Sequence, residues 1–300
     1  KLFTDKAVVL TKALTLDLNG KTLTGSILAP DAELTVQNGK IVNKDKGVSG
    51  IEINAGKLTL TNVDIDSARH ALRIDGAVEA TINGGTYRGA IGNGTGTYHA
   101  VNISGAATVT IEDGTFVGPK GTTSDSGSAV NAQSGSTVII KGGKFSGGKR
   151  NTLSASGTIA VSGGIFDQTV AEKYCVEGYI CVDNGDGTYS VERGLRGSGT
   201  QEDPFLIKTL NDLILFRDSV NAGKTKYNAP GVYVALDADI DLSGIDWSVN
   251  IGDDCNATFD GIFDGKNHKI SNLTSTETAQ KADGYICTGL FGSIYGSAVI

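Results

Sequence analysis

The sequence predicts an all-β fold: a parallel β-helix closed by a hairpin, followed by the helix-capped start of a second β-helix unit. Three observations predict it. Residues 14–166 carry one pattern, apolar, small or branched, apolar, seven times: Leu14-Thr15-Leu16, Leu34-Thr35-Val36, Leu58-Thr59-Leu60, Ala80-Thr81-Ile82, Val109-Thr110-Ile111, Val138-Ile139-Ile140 and Ile159-Ala160-Val161. A turn and a further apolar residue follow most copies, as in Asn83-Gly84-Gly85-Thr86-Tyr87 and Lys141-Gly142-Gly143-Lys144-Phe145. The aligned turn positions 20, 39, 63, 85, 114, 143 and 164 are spaced by 19, 24, 22, 29, 29 and 21 residues. A period of about 20–30 residues with two or three short strands per repeat describes one coil of a stacked β-solenoid.

Side chains alternate across a strand. Positions 14/16, 34/36, 58/60, 109/111 and 138/140 therefore point inward, and the middle residues Thr15, Thr35, Thr59, Thr81 and Thr110 point outward. The apolar residue after each turn forms a second inward column, Leu23, Ile41, Ile65, Tyr87, Phe116, Phe145 and Phe166, so an aromatic stack is expected along the later coils. Val63 stands where the other coils have Gly. Another short strand precedes each coil from the third on: Ile51/Ile53, Leu72/Ile74, Val101/Ile103, Val130/Ala132 and Leu153/Ala155. Helical solenoids would need apolar spacings of three and four, which are absent.

Ala7-Val8-Val9-Leu10 is expected to cover the open end of the stack, whose backbone groups otherwise lack partners. Two connections, residues 88–100 and 117–129, are longer than the rest and belong to neighbouring coils, so they should protrude side by side. After Asp167, Tyr174–Val182 and Thr188–Val191 flank Asn184-Gly185-Asp186-Gly187, a strong hairpin signal. Residues 1–193 thus form the first unit, the Gly-rich 194–200 a linker, and 201–300 the second unit. There Thr209 N-caps a helix with Asp212 at its third position, and Asn221-Ala222-Gly223 ends it. Residues 232–242 alternate as one strand. Phe259–Gly265 and 269–273 look like first coils of another stack.

Composition removes several functions. The chain has 42 Gly and only 4 Pro, which suits tight turns rather than disordered linkers. Net charge is −7 with no basic stripe, which argues against nucleic acid. No run of 18 apolar residues predicts membrane insertion. The first residues are not a signal peptide, Met is absent, and the sequence stops inside a strand-like pattern, so a processed or trimmed piece of a longer protein is expected.

Two resemblances follow from particular residues. Asp17-Leu18-Asn19-Gly20-Lys21-Thr22-Leu23 and the Gly-Gly-x-Phe turns resemble right-handed β-helix surface proteins of gut bacteria. Gly197-Ser198-Gly199-Thr200, Asp203-Pro204-Phe205, Asp239-Ile240-Asp241-Leu242, Phe259–Gly265 with His268, and Gly289-Leu290-Phe291-Gly292 resemble repeats named for a Gly-Leu-x-Gly signature, found in large adhesin-like bacterial proteins. The resemblance implies a right-handed, pectate-lyase-like fold and an extracellular, cell-surface location. It does not imply an activity, because this fold hosts lyases, hydrolases and plain binding or spacer proteins. The expected function is a non-catalytic surface module of a larger bacterial protein, a rod or an adhesin for glycan or host surface. The alternative is a polysaccharide lyase or glycoside hydrolase acting on uronic-acid, plant or host glycan.

Glycoside hydrolysis needs paired carboxylates, and a β-helix lyase needs clustered Asp beside an Arg or Lys base. The outward columns Glu52, Arg73, Asn102, Asn131, Ser154 and Asp17, Gln37, Thr61, Asn83, Glu112, Lys141, Ser162 place no two carboxylates on adjacent coils. No catalytic residue, cofactor or metal is therefore assigned. His70 and His99 share one column followed by Ser128, and read as structural corner residues rather than zinc ligands. Asp237, Asp239 and Asp241 read as a solvated strand face, since a calcium loop would need Gly where Leu242 stands. The Thr column is interrupted at Ile139 and Ala160, which argues against an ice-binding face. If the long connections bind sugar, Tyr98 would stack on a pyranose, with Arg88 and His99 bonding to hydroxyls. The four cysteines, in a chain that looks secreted, favour disulfides. Cys175–Cys181 would face each other across a hairpin at Glu177-Gly178, and Cys255–Cys287 occupy corresponding places on successive coils.

Overall fold

The computed structural model describes residues 2–3, 7–90, 98–119, 127–148, 151–253, 257–276 and 288–300. The chain is predominantly β and divides into two compact units, Lys1–Glu192 and Arg193–Ile300. The first is built on a large, mostly parallel sheet.

Three ladders organise that unit. The first joins the seven aligned triplets in parallel: Thr15 pairs with Thr35, Thr35 with Thr59, Thr59 with Thr81, Thr81 with Thr110, Thr110 with Ile139, and Ile139 with Ala160. The second follows the turns, with Leu23, Ile41, Ile65, Tyr87, Phe116, Phe145 and Phe166 in continuous register. The third runs through Ile27, Ile51, Leu72, Val101, Val130 and Leu153. The strand Ile27–Ala29 is an earlier rung than the repeat pattern suggests, and Val8–Val9 pairs onto it in parallel. Val8–Val9 therefore covers the open edge of this ladder as expected, with Val8 N–H donating to the Ser26 carbonyl at 2.9 Å and Leu10 N–H to the Leu28 carbonyl at 2.8 Å. Leu14, expected inside, is 39% exposed, since the end rung has a neighbour on one side only.

The inward columns fuse into one core running from Leu18 to Val191. Tyr87, Phe116, Phe145 and Phe166 stack with ring centres 4.9, 4.9 and 4.8 Å apart and planes within 11° of parallel. The inter-strand spacing of about 4.8 Å dictates this distance: residues held in register must bring identical rings into contact. Val63 needs no glycine because the residue before it supplies the turn. Asn62 has φ 51°, as Asn38 (56°) and Asn19 (45°) do in the preceding coils. Asn tolerates this left-handed conformation where β-branched residues do not. Gly85, beside Val63, has φ 89°, and a Cβ there would lie 2.2 Å from the Val63 carbonyl oxygen.

At the far end, Tyr189–Arg193 pairs antiparallel with Ile165–Phe166, and an Asx-type turn at residues 183–188 joins it to Tyr179–Asp183. The hairpin thus closes the second ladder. The first ladder ends on Cys175, bridged in parallel to Val161.

The second unit repeats the principle with longer coils. Phe205–Ile207 pairs in parallel with Tyr233–Leu236, which pairs with Ile262–Asp264. Ile240 pairs with Ile270. The helix Leu210–Asn221 has the expected capping box between Thr209 and Asp212. Its Phe216 ring lies 5.7 and 5.9 Å from those of Phe259 and Phe263. Residues 194–200 are not a free linker: Leu195 is a core residue, its N–H donates to the Tyr227 hydroxyl at 3.1 Å, and Arg196 bridges Leu206. Residues 232–242 are two short strands, not one. Val234, Ala235 and Leu236 are all buried, and the chain turns before Ile240–Asp241. Among the described residues no helix is long and apolar enough to cross a membrane.

Phe116 is fully buried between two stacked rings. Phe116→Ala should cost roughly 3–5 kcal/mol of unfolding free energy. Chemical denaturation measures it, and a change below about 1 kcal/mol would place the side chain outside the core.

Candidate functional site

The residues singled out for chemistry gather at one corner, where the chain enters the third ladder. Arg69, His70, Tyr98 and His99 meet there. His99 stands one coil beyond His70, and the rings stack with centres 5.5 Å apart and planes 3° from parallel. Tyr98 sets its ring edge-on to His70 at 5.4 Å, and the Arg69 guanidinium lies 6.0 Å from the Tyr98 ring centre.

Both imidazoles are used by the backbone. His99 N–H donates to His70 Nδ1 at 2.9 Å, and Ser128 N–H donates to His99 Nδ1 at 2.9 Å. An Nδ1 that accepts cannot carry a proton, so each ring is neutral with its hydrogen on Nε2. Burial, reinforced by His99, Arg69 and Arg73, pushes His70 down to about 3. Burial pushes His99 down to about 4. The pair is a corner brace that satisfies two buried amides. Among the described residues no three His, Cys, Asp or Glu side chains gather where they could hold a metal ion.

The structure therefore brings together Tyr98 and His99, but His99 is 8% exposed and already engaged. Arg88 turns elsewhere: its guanidinium lies 3.1 Å from Asp66, which also pairs with Lys40. The signal for that pairing was in the sequence, because Arg88 follows Tyr87 as Asp66 follows Ile65, and those columns are in register. Residues 91–97 and 120–126, the tips of the two long connections, lie outside the described residues. Their feet adjoin, since a Cβ on Gly127 would lie 2.2 Å from the Tyr98 carbonyl oxygen.

The outward columns are internally matched. Glu52 lies 3.6 Å from Arg69 and 4.0 Å from Arg73, and Arg73 lies 2.7 Å from Asp75. Asn131 donates its side-chain amide to Asn102 at 2.8 Å, and Lys141 reaches Glu112 at 2.7 Å. In the second unit the acidic residues also bind neighbouring coils. Asp239 accepts from Lys269 N–H at 3.2 Å and contacts His268 at 3.1 Å, and Asp241 accepts from Asn272 at 2.8 Å and Ser243 at 2.7 Å. The Lys269 amide and the His268 contact hold the Asp239 carboxyl below its ordinary value. The Asn272 and Ser243 bonds do the same for Asp241.

Cys175 and Cys181 are not bonded to each other. Tyr179 N–H donates to the Val176 carbonyl at 3.0 Å, so the turn closes on residues 176 and 179. Cys175 is bridged to Val161. Cys181 Sγ instead accepts from Val170 N–H at 3.2 Å. The expected Cys255–Cys287 link lies outside the described residues. Compared with known proteins, the chain matches no family model, no curated protein and no solved structure.

A histidine depressed in the folded state destabilises it in acid. Below the ordinary value of 6.5 the unfolded chain takes up a proton that the native corner refuses, so stability falls as pH drops from about 6.5 towards 4. His99→Asn keeps an acceptor near the Ser128 amide and removes the titration. The slope of unfolding free energy against pH between 6 and 4.5 should then fall by about 1 kcal/mol per pH unit. An unchanged slope would mean that His99 titrates normally.

Proposed function

We propose that this chain is a non-catalytic extracellular module of a larger bacterial surface protein, a right-handed parallel β-helical rod that presents a binding face to glycan or host surface. One observation carries the reading. The three ladders run parallel, with register shifts only in the segments between them, and outward charged and amide groups pair from one rung to the next, as in Glu52–Arg73, Glu112–Lys141 and Asn102–Asn131. That arrangement stiffens a rod. The carboxylates of Glu52 and Asp75 are both engaged by the Arg73 guanidinium. The matched exterior also favours display over turnover, because partners on adjacent coils hold these groups in fixed positions.

A glycan array run beside assays for reducing ends and unsaturated uronides tests the reading. The expected outcome is retention on the array or on host-cell extracts with no product released from polygalacturonate, hyaluronan or xylan. Cleavage of any of them at an appreciable rate would replace this reading with the polysaccharide-degrading alternative. Antibody labelling of intact against lysed producer cells tests location, with equal labelling expected.

A further inference from the structure

The last coil of the first unit is covered unevenly. The outer edge of Thr158–Val161 is met by Cys175, and Val176 N–H donates to the Val161 carbonyl at 2.9 Å. The outer edge of Ile165–Phe166 is paired by Tyr189–Arg193. The third edge, that of Leu153–Ala155, is paired only on its inner side among the described residues, with Val130–Ala132. Val130 N–H donates to the Thr152 carbonyl at 3.3 Å and Ser156 N–H to the Ala132 carbonyl at 2.9 Å, so the even-numbered residues face inward along the sheet. In a parallel ladder alternate residues point both backbone groups the same way. The N–H and C=O groups of Leu153 and Ala155 therefore face outward, into a cleft of about 350 Å3 whose far wall is residues 168–171, 173 and 174.

We propose that this edge is a strand-addition site for an extended peptide carrying an acidic residue. The hydrogen-bonding groups of Leu153 and Ala155 repeat at strand spacing, the pattern that a peptide backbone complements. The side chains fix the chemistry. Ser154 ends the outward column after Asn102 and Asn131, so a polar residue belongs beside it. Among the described residues Lys173 is the one charged residue lining the cleft, in a chain of net charge −7, and no carboxylate among them lines it. A sugar fits less well, because the Lys173 ammonium sits 4.9 Å from the centre of the Tyr174 ring and occupies a face that would stack on a pyranose. This site is separate from the long connections and does not depend on where the protein resides.

The intact 300-residue chain, labelled with 15N, tests the proposal against octapeptides of Ser-Val-Thr background with Glu at each position in turn. At least one peptide should bind and slow hydrogen exchange of the Leu153 and Ala155 amides about tenfold or more, equivalent to occupancy near 90%. Methylating alternate peptide amide nitrogens should abolish this. Lys173→Glu, a change at an exposed side chain, should weaken binding about tenfold and shift preference to the matching Lys peptides. The proposal fails if no peptide protects those two amides. It fails equally if N-methylation or Lys173→Glu has no effect, or if a glucuronate-containing tetrasaccharide protects them and the peptides do not.

Discussion

Parallel register between successive coils is the constraint on which the first unit depends. Once Thr15 pairs with Thr35 and Thr35 with Thr59, each residue of a ladder strand meets the same position of the next coil at the strand spacing. Side-chain chemistry then becomes columnar. Apolar columns fuse into one core, rings stack face over face, amides bond along their own ladder, and opposite charges pair across one rung. A one-residue slip would turn Leu58, Leu60 and Phe116 out to solvent together, so burial enforces the register that creates it.

This constraint explains what could be read from the sequence. The seven triplets and the aromatic column were legible because stacking demands like residues at like positions, and the pairings follow that alignment residue by residue. The corner brace was half legible. His70 and His99 were visible as one column, but that each Nδ1 would accept the next coil's amide depends on how the corner bends. Composition misled at residues 194–200, where glycines suggested a free linker while Leu195 enters a core. Alternation misled at residues 232–242, where a turn between two faces interrupts an apparently regular strand.

The turns show a physical substitution that glycine counting overlooks. Left-handed backbone occurs at the start of the second ladder in every coil, at one residue or at two in succession. Early coils supply it with Asn19, Asn38 and Asn62, and Gly84 takes over in the fourth. Where Asn carries the conformation, its neighbour is free to be a buried Val63; from the fourth coil on, both positions or the second are glycine. The change coincides with the arrival of Tyr87 and the phenylalanines. A ring packs directly on the turn: a Cβ at Gly114 would lie 3.1 Å from the ring of Phe116, and one at Gly164 equally close to that of Phe145.

The same constraint decides where binding features can arise. Within a ladder each outward group has a coil above and below to satisfy it, and Arg88 illustrates the result: a cation expected at a ligand is captured by Asp66 of the preceding rung. Two kinds of place escape. One is the corner, where longer connections leave the register of all three ladders intact, because lengthening a loop adds only a slowly growing entropic cost. The other is the end of the stack, where a rung has one neighbour instead of two. At the C-terminal end, chain closes two of the three edges and leaves Leu153 and Ala155 facing a cleft. No column in the sequence announces that edge. It exists because the repeat stops and, among the described residues, the segment that follows passes beside the last strand without a ladder pairing to it.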